Sequence, residues 1–216
     1  RGNTDLAVCR GSEDGPMAYV GELLLPGEVQ LAEGDSYSTP WVVVSASSHG
    51  LDPIMQGLHR WERTLPSHPT RQPVTLNVWE AVYMGQNREV LADIARRAAS
   101  IGVERYVLDD GWFHLRRTDS SGLGDWWIDR DVWPEGLDEL IELVHSEGMQ
   151  FGLWFEPEMV NPDSDLFRRH PEWVMQAGAR LPELQRHQLV LDLTNPDASD
   201  YVFDAMSAIL SHNAID

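Results

Sequence analysis

Thiols are all but missing from this 216-residue chain. Cys9 is the single cysteine, so an internal disulfide framework and a cysteine zinc cluster are both excluded. Basic charge is scarce: 16 Lys and Arg face 35 Asp and Glu, for a net charge of −19. That balance disfavours phosphate backbones and anionic lipid, so neither a nucleic-acid nor a membrane partner is expected. No apolar run approaches the roughly 18 residues of a spanning helix. No Gly-x-Gly-x-x-Gly follows a strand-like run and there is no Walker motif, which withdraws support from nucleotide-binding sheets. A Gly-x-Ser-x-Gly elbow is also lacking. His59, His114, His145 and His187 show no metal-binding spacing, so no metal and no cofactor are expected.

What is abundant is tryptophan, with nine Trp against five Tyr and five Phe. Trp combines a flat apolar face with one N–H donor, suiting both packing and sugar recognition. Position 1 is Arg, and the last residues run straight out of a helical pattern. The chain is therefore expected to be a fragment cut at both ends. One free Cys and an acidic composition lean towards a cytoplasmic location.

The pattern has two grammars. Residues 16–45 suit β structure: a strand over Met17–Leu25, a Pro26-Gly27 turn, Val29 and Leu31, then the β-branched run Trp41–Val44. Leu51, Ile54, Met55, Leu58, Trp61 and Leu65 recur at helical spacing. A proline-rich linker over 65–73 follows. We expect 1–72 to be the end of a β-sandwich with a linking helix.

From 73 the rhythm is strand, helix, strand. Runs at Val74–Trp79, Tyr106–Leu108, Phe151–Trp154 and Leu189–Leu191 alternate with helical stretches stopped by Gly102 and Gly148. Asn195-Pro196-Asp197 is a helix start. Alternation implies parallel strands with right-handed crossovers. Polar and aromatic residues at the strand ends favour a barrel face over an open sheet. The expected fold class is α/β, an incomplete (β/α)8 TIM-type barrel over 73–216, because a full barrel needs about 250 residues.

Glycoside hydrolysis needs two carboxylates, and further carboxylates in such sites accept from sugar hydroxyls. Asp109-Asp110-Gly111-Trp112 is the sharpest local signal; two solvated turn acids beside a packing Trp are an equal alternative. Trp154 with Glu156 or Glu158 could be a sugar wall with an acid/base, against a core Trp with surface glutamates. Trp126 and Trp127 lie in a polar loop, where an exposed aromatic pair suits sugar stacking or a subunit interface. Arg186 could donate two hydrogen bonds or simply be solvated. Together these signals point to a neutral, polyhydroxylated substrate.

Six motifs stand in order: Asn77-Val-Trp-Glu-Ala81, Val107-Leu-Asp-Asp-Gly-Trp-Phe113, Gly122-Leu-Gly-Asp-Trp126, Phe151-Gly-Leu-Trp-Phe-Glu-Pro-Glu-Met-Val160, Pro162-Asp-Ser-Asp165 and Gln188-Leu-Val-Leu-Asp192. The series closely resembles glycoside hydrolase family 36, the microbial α-galactosidases. Leu25-Pro-Gly-Glu28 and Pro40-Trp41 resemble the end of the β-sandwich that precedes the barrel there. The resemblance implies that both catalytic groups are aspartates on later strands, the nucleophile strand beginning near Ile215. Glu156 and Glu158 are then not the catalytic pair. It implies that Asp109 and Asp110 accept from galactose hydroxyls, that Trp79 and Trp154 wall the sugar subsite, and that Arg186 reaches the sugar. Trp126 matches the Gly-Asp-Trp loop. The implied activity is retaining hydrolysis of terminal α-1,6-linked galactose, as in melibiose or raffinose, by a homo-oligomer. Alternatives are an α-N-acetylgalactosaminidase, a raffinose- or stachyose-forming galactosyltransferase, or a non-catalytic sugar-binding remnant.

Overall fold

The computed structural model describes residues 4–10, 15–24, 26–176, 178, 180 and 182–216. The chain divides into two compact units, one ending at Arg71 and a larger one formed by Gln72–Gln176 and Arg180–Asp216.

In the first unit, β1 (Thr4–Arg10) pairs antiparallel with β2 (Pro16–Glu22), Leu6 facing Val20 and Val8 facing Ala18. Leu25, the end of the predicted strand there, lies outside the described residues. The run Trp41–Val44 is not a strand, contrary to its β-branched pattern, and Trp41 is 98% exposed. Propensity alone does not make a strand; its amides need a ladder partner, and none of the described residues supplies one. Helix α1 (Asp52–Glu62) carries Pro53 in its first turn, where a missing N–H costs nothing.

The second unit alternates strands and helices. Its order is β3 (Thr75–Asn77), the single turn α2 (Trp79–Val82), α3 (Arg88–Ser100), β4 (Arg105–Leu108), α4 (Asp138–Ser146) and β5 (Gln150–Leu153). Then come β6 (Met159–Val160), α5 (Asp165–Arg169), a 3-10 turn at Pro171–Trp173, β7 (Leu189–Val190) and α6 (Pro196–His212). Strands β3, β4 and β5 form a parallel sheet in that order, with Leu76 beside Tyr106 and Tyr106 beside Phe151. The Asn87 side chain caps α3 by accepting from the Val90 amide at 3.0 Å, and Asn195 caps α6 by accepting from the Asp197 amide at 3.1 Å. Helices α3 and α4 bury Leu91, Ala95 and Ala98, and Leu140, Ile141 and Val144, with Tyr106, Leu108 and Phe151 of the sheet. Removing each large side chain here from water contributes about 1.5–3 kcal/mol.

The apolar run at Leu189–Leu191 does not join the parallel sheet. Strand β7 pairs antiparallel with β6 and lies over a second cluster built from Val160, Leu166, Trp173 and Val202. Its outer side is met as well, where Val190 O accepts from the Met175 amide, while the Leu191 amide extends the β6 ladder by donating to Glu158 O. The free edge of β5 is instead met by Asp216, whose amide donates to Phe151 O at 2.9 Å and whose carboxylate accepts from the Phe151 amide at 2.8 Å. Among the described residues, no helix is long and apolar enough to cross a membrane.

Candidate functional site

Three parallel strands place residues at their C-terminal ends: Asn77 closing β3 with Trp79 beyond it, Asp109 and Asp110 after β4, and Trp154 and Glu156 after β5. The two aspartates are buried but not desolvated blindly, because neighbouring groups hold each one. Asp109 accepts from the Asp110 amide at 2.7 Å with Oδ1 and from the Asn77 side-chain nitrogen with Oδ2. Asn77 in turn accepts from the Trp79 amide at 2.8 Å, so one side chain ties the ends of β3 and β4 together. Gly111, at φ +108°, makes the sharp exit from this pair; a Cβ there would stand 3.1 Å from Met84 Cα.

Asp110 is gripped by Arg116, whose Nε and Nη2 donate to its two oxygens at 2.9 and 2.8 Å. The remaining Arg116 nitrogen, Nη1, donates to Ser121 O at 3.0 Å and to Asn161 Oδ1 at 2.8 Å. Gln86 donates to the carbonyls of both Asp109 and Asp110, at 2.8 and 3.0 Å, and accepts from the Trp133 indole at 3.1 Å. Motif reading missed Gln86, Arg116 and Asn161. Their partners lie up to 47 residues away, and no local spacing announces such pairs.

The aromatic residues divide by exposure. Trp79 is half-buried and meets Tyr83 edge-on, with ring centroids 5.2 Å apart. Trp154 is also half-buried, and its carbonyl accepts from the Trp112 indole at 3.0 Å, which clamps the ends of β4 and β5. The expectation of an exposed aromatic pair in the polar loop is corrected. Trp126 is 1% exposed, packed on Phe113 at 4.6 Å and Phe155 at 5.4 Å, with Trp154 at 6.3 Å. Trp127 stacks on His114 at 4.9 Å. The loop is polar on average but closes on itself. The His114 amide donates to Trp127 O, the Asp129 amide donates to Trp112 O, and Asp125 accepts from the Asp165 and Leu166 amides at the start of α5. Loop polarity is satisfied at its own backbone, and its large apolar faces go inward.

Arg186 sits on a two-residue turn. Gln185 and Gln188 exchange both backbone hydrogen bonds at 2.9 Å, and Arg186 and His187 hold φ of +52° and +64°. That is type I′ geometry, in which both central residues are left-handed. Without glycine at either position, each residue costs roughly 1–2 kcal/mol. The turn is anchored where the Asn161 side chain donates to His187 O at 2.9 Å. Burial, and next the neighbouring Glu158, push the Glu156 carboxyl above its ordinary range, while Arg186, the Gln188 amide and Arg116 pull it back. Burial likewise raises Asp125, against the two amides it caps.

The structure therefore links Asp109, Asp110, Trp79 and Trp154 at adjacent strand ends, reaches the Arg186 turn through Arg116 and Asn161, and places Trp126 behind Trp154 rather than at a surface. Acceptor oxygens beside flat aromatic faces are a constellation for binding a polyhydroxylated ring. Among the described residues, no three His, Cys, Asp or Glu side chains are grouped to hold a metal ion.

Comparison with known proteins decides the family. The sequence model described as melibiase matches residues 36–216. The chain belongs to the melibiase family. It is 40% identical over 213 residues to an α-galactosidase of Escherichia coli, covering 96% of this chain and 30% of that protein. Against α-galactosidase AgaA of Geobacillus stearothermophilus it is 43% identical over 185 residues, covering 84% of this chain and 25% of that one. A crystal structure of a variant of that GH36 enzyme in complex with stachyose superposes with a TM-score of 0.83 at 37% identity, covering 96% of this chain and 30% of the other. The chain thus spans less than a third of the length of these relatives. Every strand-end group described above falls inside the matched melibiase region.

Proposed function

We propose that this chain forms the sugar-binding part of a retaining α-galactosidase. In this reading residues 73–216 are the first half of a (β/α)8 barrel and 1–72 the end of a preceding β-sandwich. The parallel sheet β3-β4-β5, with Asp216 hydrogen-bonded at the outer edge of β5, supports a barrel that continues to close at that edge. The substrate is a terminal α-1,6-linked galactose, as in the raffinose series, the kind of oligosaccharide bound in the structure of the Geobacillus relative.

The observation that carries the reading is the fixed pair Asp109–Asp110 between two half-exposed tryptophans. A carboxylate already oriented by Asn77, Gln86 and Arg116 retains lone pairs for vicinal hydroxyls and loses little entropy on binding. Trp79 and Trp154 supply the apolar walls, Arg186 reaches the sugar from its turn, and Trp126 backs Trp154. The reaction is a double displacement in which one aspartate attacks C1 and another protonates the leaving oxygen, the two about 5 Å apart. The reading assigns those two aspartates to strands C-terminal to α6, the first entering at Ile215. Glu156 and Glu158 have no part in the chemistry; Glu156 is held by Gln188 at 3.2 Å. The contacts on non-reacting hydroxyls serve positioning and transition-state binding.

The test is Asp110→Asn in the whole protein. A charge-assisted contact of roughly 3 kcal/mol predicts a loss of at least about 10²-fold in kcat/KM on an α-galactoside. Rates are normalised to folded protein, because the same change strips Arg116 of its counter-charge. A loss below tenfold removes Asp110 from the site. Parallel rates on an α-N-acetylgalactosaminide, and product analysis with sucrose as acceptor, separate hydrolysis of galactosides from the neighbouring activities.

A further inference from the structure

Asn161 follows β6 and is fully buried, yet nothing in the proposed sugar subsite touches it directly. Its side chain uses all four of its hydrogen-bonding positions. Oδ1 accepts from Arg116 Nη1 at 2.8 Å and from the Leu123 amide at 3.0 Å. Nδ2 donates to Asp119 O at 3.1 Å and to His187 O at 2.9 Å. The first of these partners is the arginine that grips Asp110; the last belongs to the strained turn that presents Arg186.

We propose that Asn161 is a positioning residue that couples the Asp110 carboxylate to the Arg186 turn, so that both sugar-binding groups are set by one side chain. The inference rests on the sugar-site reading above and adds to it a residue outside the subsite. The chemistry of the position is restrictive. The amide must offer two acceptor lone pairs on one side and two donors on the other. Aspartate keeps the acceptors but turns an oxygen towards two carbonyls. Leucine or alanine takes one acceptor from Arg116 Nη1 and strips the Asp119 and His187 carbonyls and the Leu123 amide of this partner in a dry interior. The turn has two non-glycine residues at positive φ, and such a geometry persists only where its surroundings hold it. The Asn161–His187 bond is a direct hold of that kind, and releasing it lets Arg186 relax away from the sugar.

The test is a double-mutant cycle in the whole protein with p-nitrophenyl α-galactoside as probe: Asn161→Ala, Arg186→Ala and the pair together. The expected result is at least a tenfold loss of kcat/KM for Asn161→Ala, carried mainly by a higher KM, and a further loss at least threefold smaller, the part carried through Asp110, when Arg186 is already Ala. A purely structural role would lower the folded fraction, and with it the apparent kcat, at an unchanged KM; that outcome overturns the proposal. An equal loss in both backgrounds overturns it too, while leaving the sugar site intact. If Arg186→Ala alone leaves kcat/KM unaltered, the sugar-site reading fails and this inference with it. Asn161→Asp, nearly isosteric and still an acceptor for Arg116, is taken through the same cycle, and the same outcomes support or overturn the proposal should the alanine variant not fold.

Discussion

Arg116 closes on both carboxylate oxygens of Asp110, at 2.9 and 2.8 Å, with only 1% of its surface exposed. A guanidinium this deep is tolerable only because all three of its nitrogens find oxygen acceptors, in Asp110, Ser121 and Asn161. Removing one partner of such a pair leaves an uncompensated charge. Arg116→Met is therefore expected to lower unfolding stability by about 3–5 kcal/mol. Arg116→Lys should recover only part of this, since an ammonium cannot make the planar fork. Denaturant unfolding of both variants checks it, and a cost below about 1 kcal/mol for the Met variant would show that the pair is not desolvated in solution.

The second acid–base pair makes a pH prediction. Burial on its own would raise the Asp129 carboxyl, but hydrogen bonds from Arg117 and from the Asp131 and Leu115 amides outweigh it and hold it below the ordinary aspartate value. With the folded value below the unfolded one, the unfolded state binds more protons in the interval between them. The stabilisation is complete above the unfolded value and is lost as pH falls through the folded value. Asp129→Asn should flatten this acid-side fall, leaving a shallower dependence of unfolding free energy below about pH 4 than the parent shows. Unfolding curves collected from neutral pH to about pH 2 decide it, and superimposable slopes would contradict the assignment.

The scaffold is largely readable from pattern, but the supports of the site are not. Helix α3 shows why the first is true, and its limit: Val90, Leu91, Ile94, Ala98 and Ile101 recur at helical spacing, and Leu91 and Ala98 are buried, but Val90 and Ile101 are exposed and Ala95 completes the buried face. Asn195 followed by Pro196 marks the start of α6 for local reasons that need no tertiary knowledge. The strand-end place of Asp109 and Asp110 is visible in the same way. Arg116, Asn161 and Gln86 carry no such mark, because a hydrogen bond across 45 residues imposes no period on either segment. The run at Leu189–Leu191 misleads for a related reason. Apolar character says that a strand is covered, not which strand covers it, and β6 takes the pairing. Trp126 sits among Gly, Asp and Ser, so composition spoke for exposure while the volume of an indole spoke for burial; packing won.

The turn at Arg186 and His187 should respond to glycine in the direction opposite to most substitutions. His187 holds φ +64° and contributes its carbonyl, not its ring, to Asn161. His187→Gly keeps that carbonyl and removes the steric penalty, so it is expected to stabilise by up to about 1 kcal/mol, after the larger backbone entropy of glycine is set against the relief. His187→Val puts a β-branched residue where φ must be positive and should destabilise by on the order of 2 kcal/mol. Thermal unfolding of the two variants gives the order, and a glycine variant less stable than the valine one would mean the turn is not left-handed in solution.

Two buried tryptophans of one aromatic cluster, Trp112 just past β4 and Trp126 in the loop beyond it, differ in one bond, which makes them a matched pair. The Trp112 indole donates to Trp154 O at 3.0 Å, whereas among the described residues the Trp126 indole nitrogen meets no acceptor. Trp→Phe at either position removes a similar volume from the same aromatic cluster, so the cavity costs nearly cancel in the comparison. What remains is the hydrogen bond: Trp112→Phe also leaves the Trp154 carbonyl unpaired, while Trp126→Phe deletes a donor that was already unmet. The Trp112 variant is therefore expected to be less stable than the Trp126 variant by about 1–2 kcal/mol, measured as the difference in denaturant midpoints at equal m-value. Because Trp112 is also the clamp between β4 and β5, its loss should raise KM for an α-galactoside more than the loss of Trp126 does. Equal stability and equal KM for the two variants would show that the Trp126 nitrogen finds an acceptor in solution and that the clamp does not set the position of Trp154.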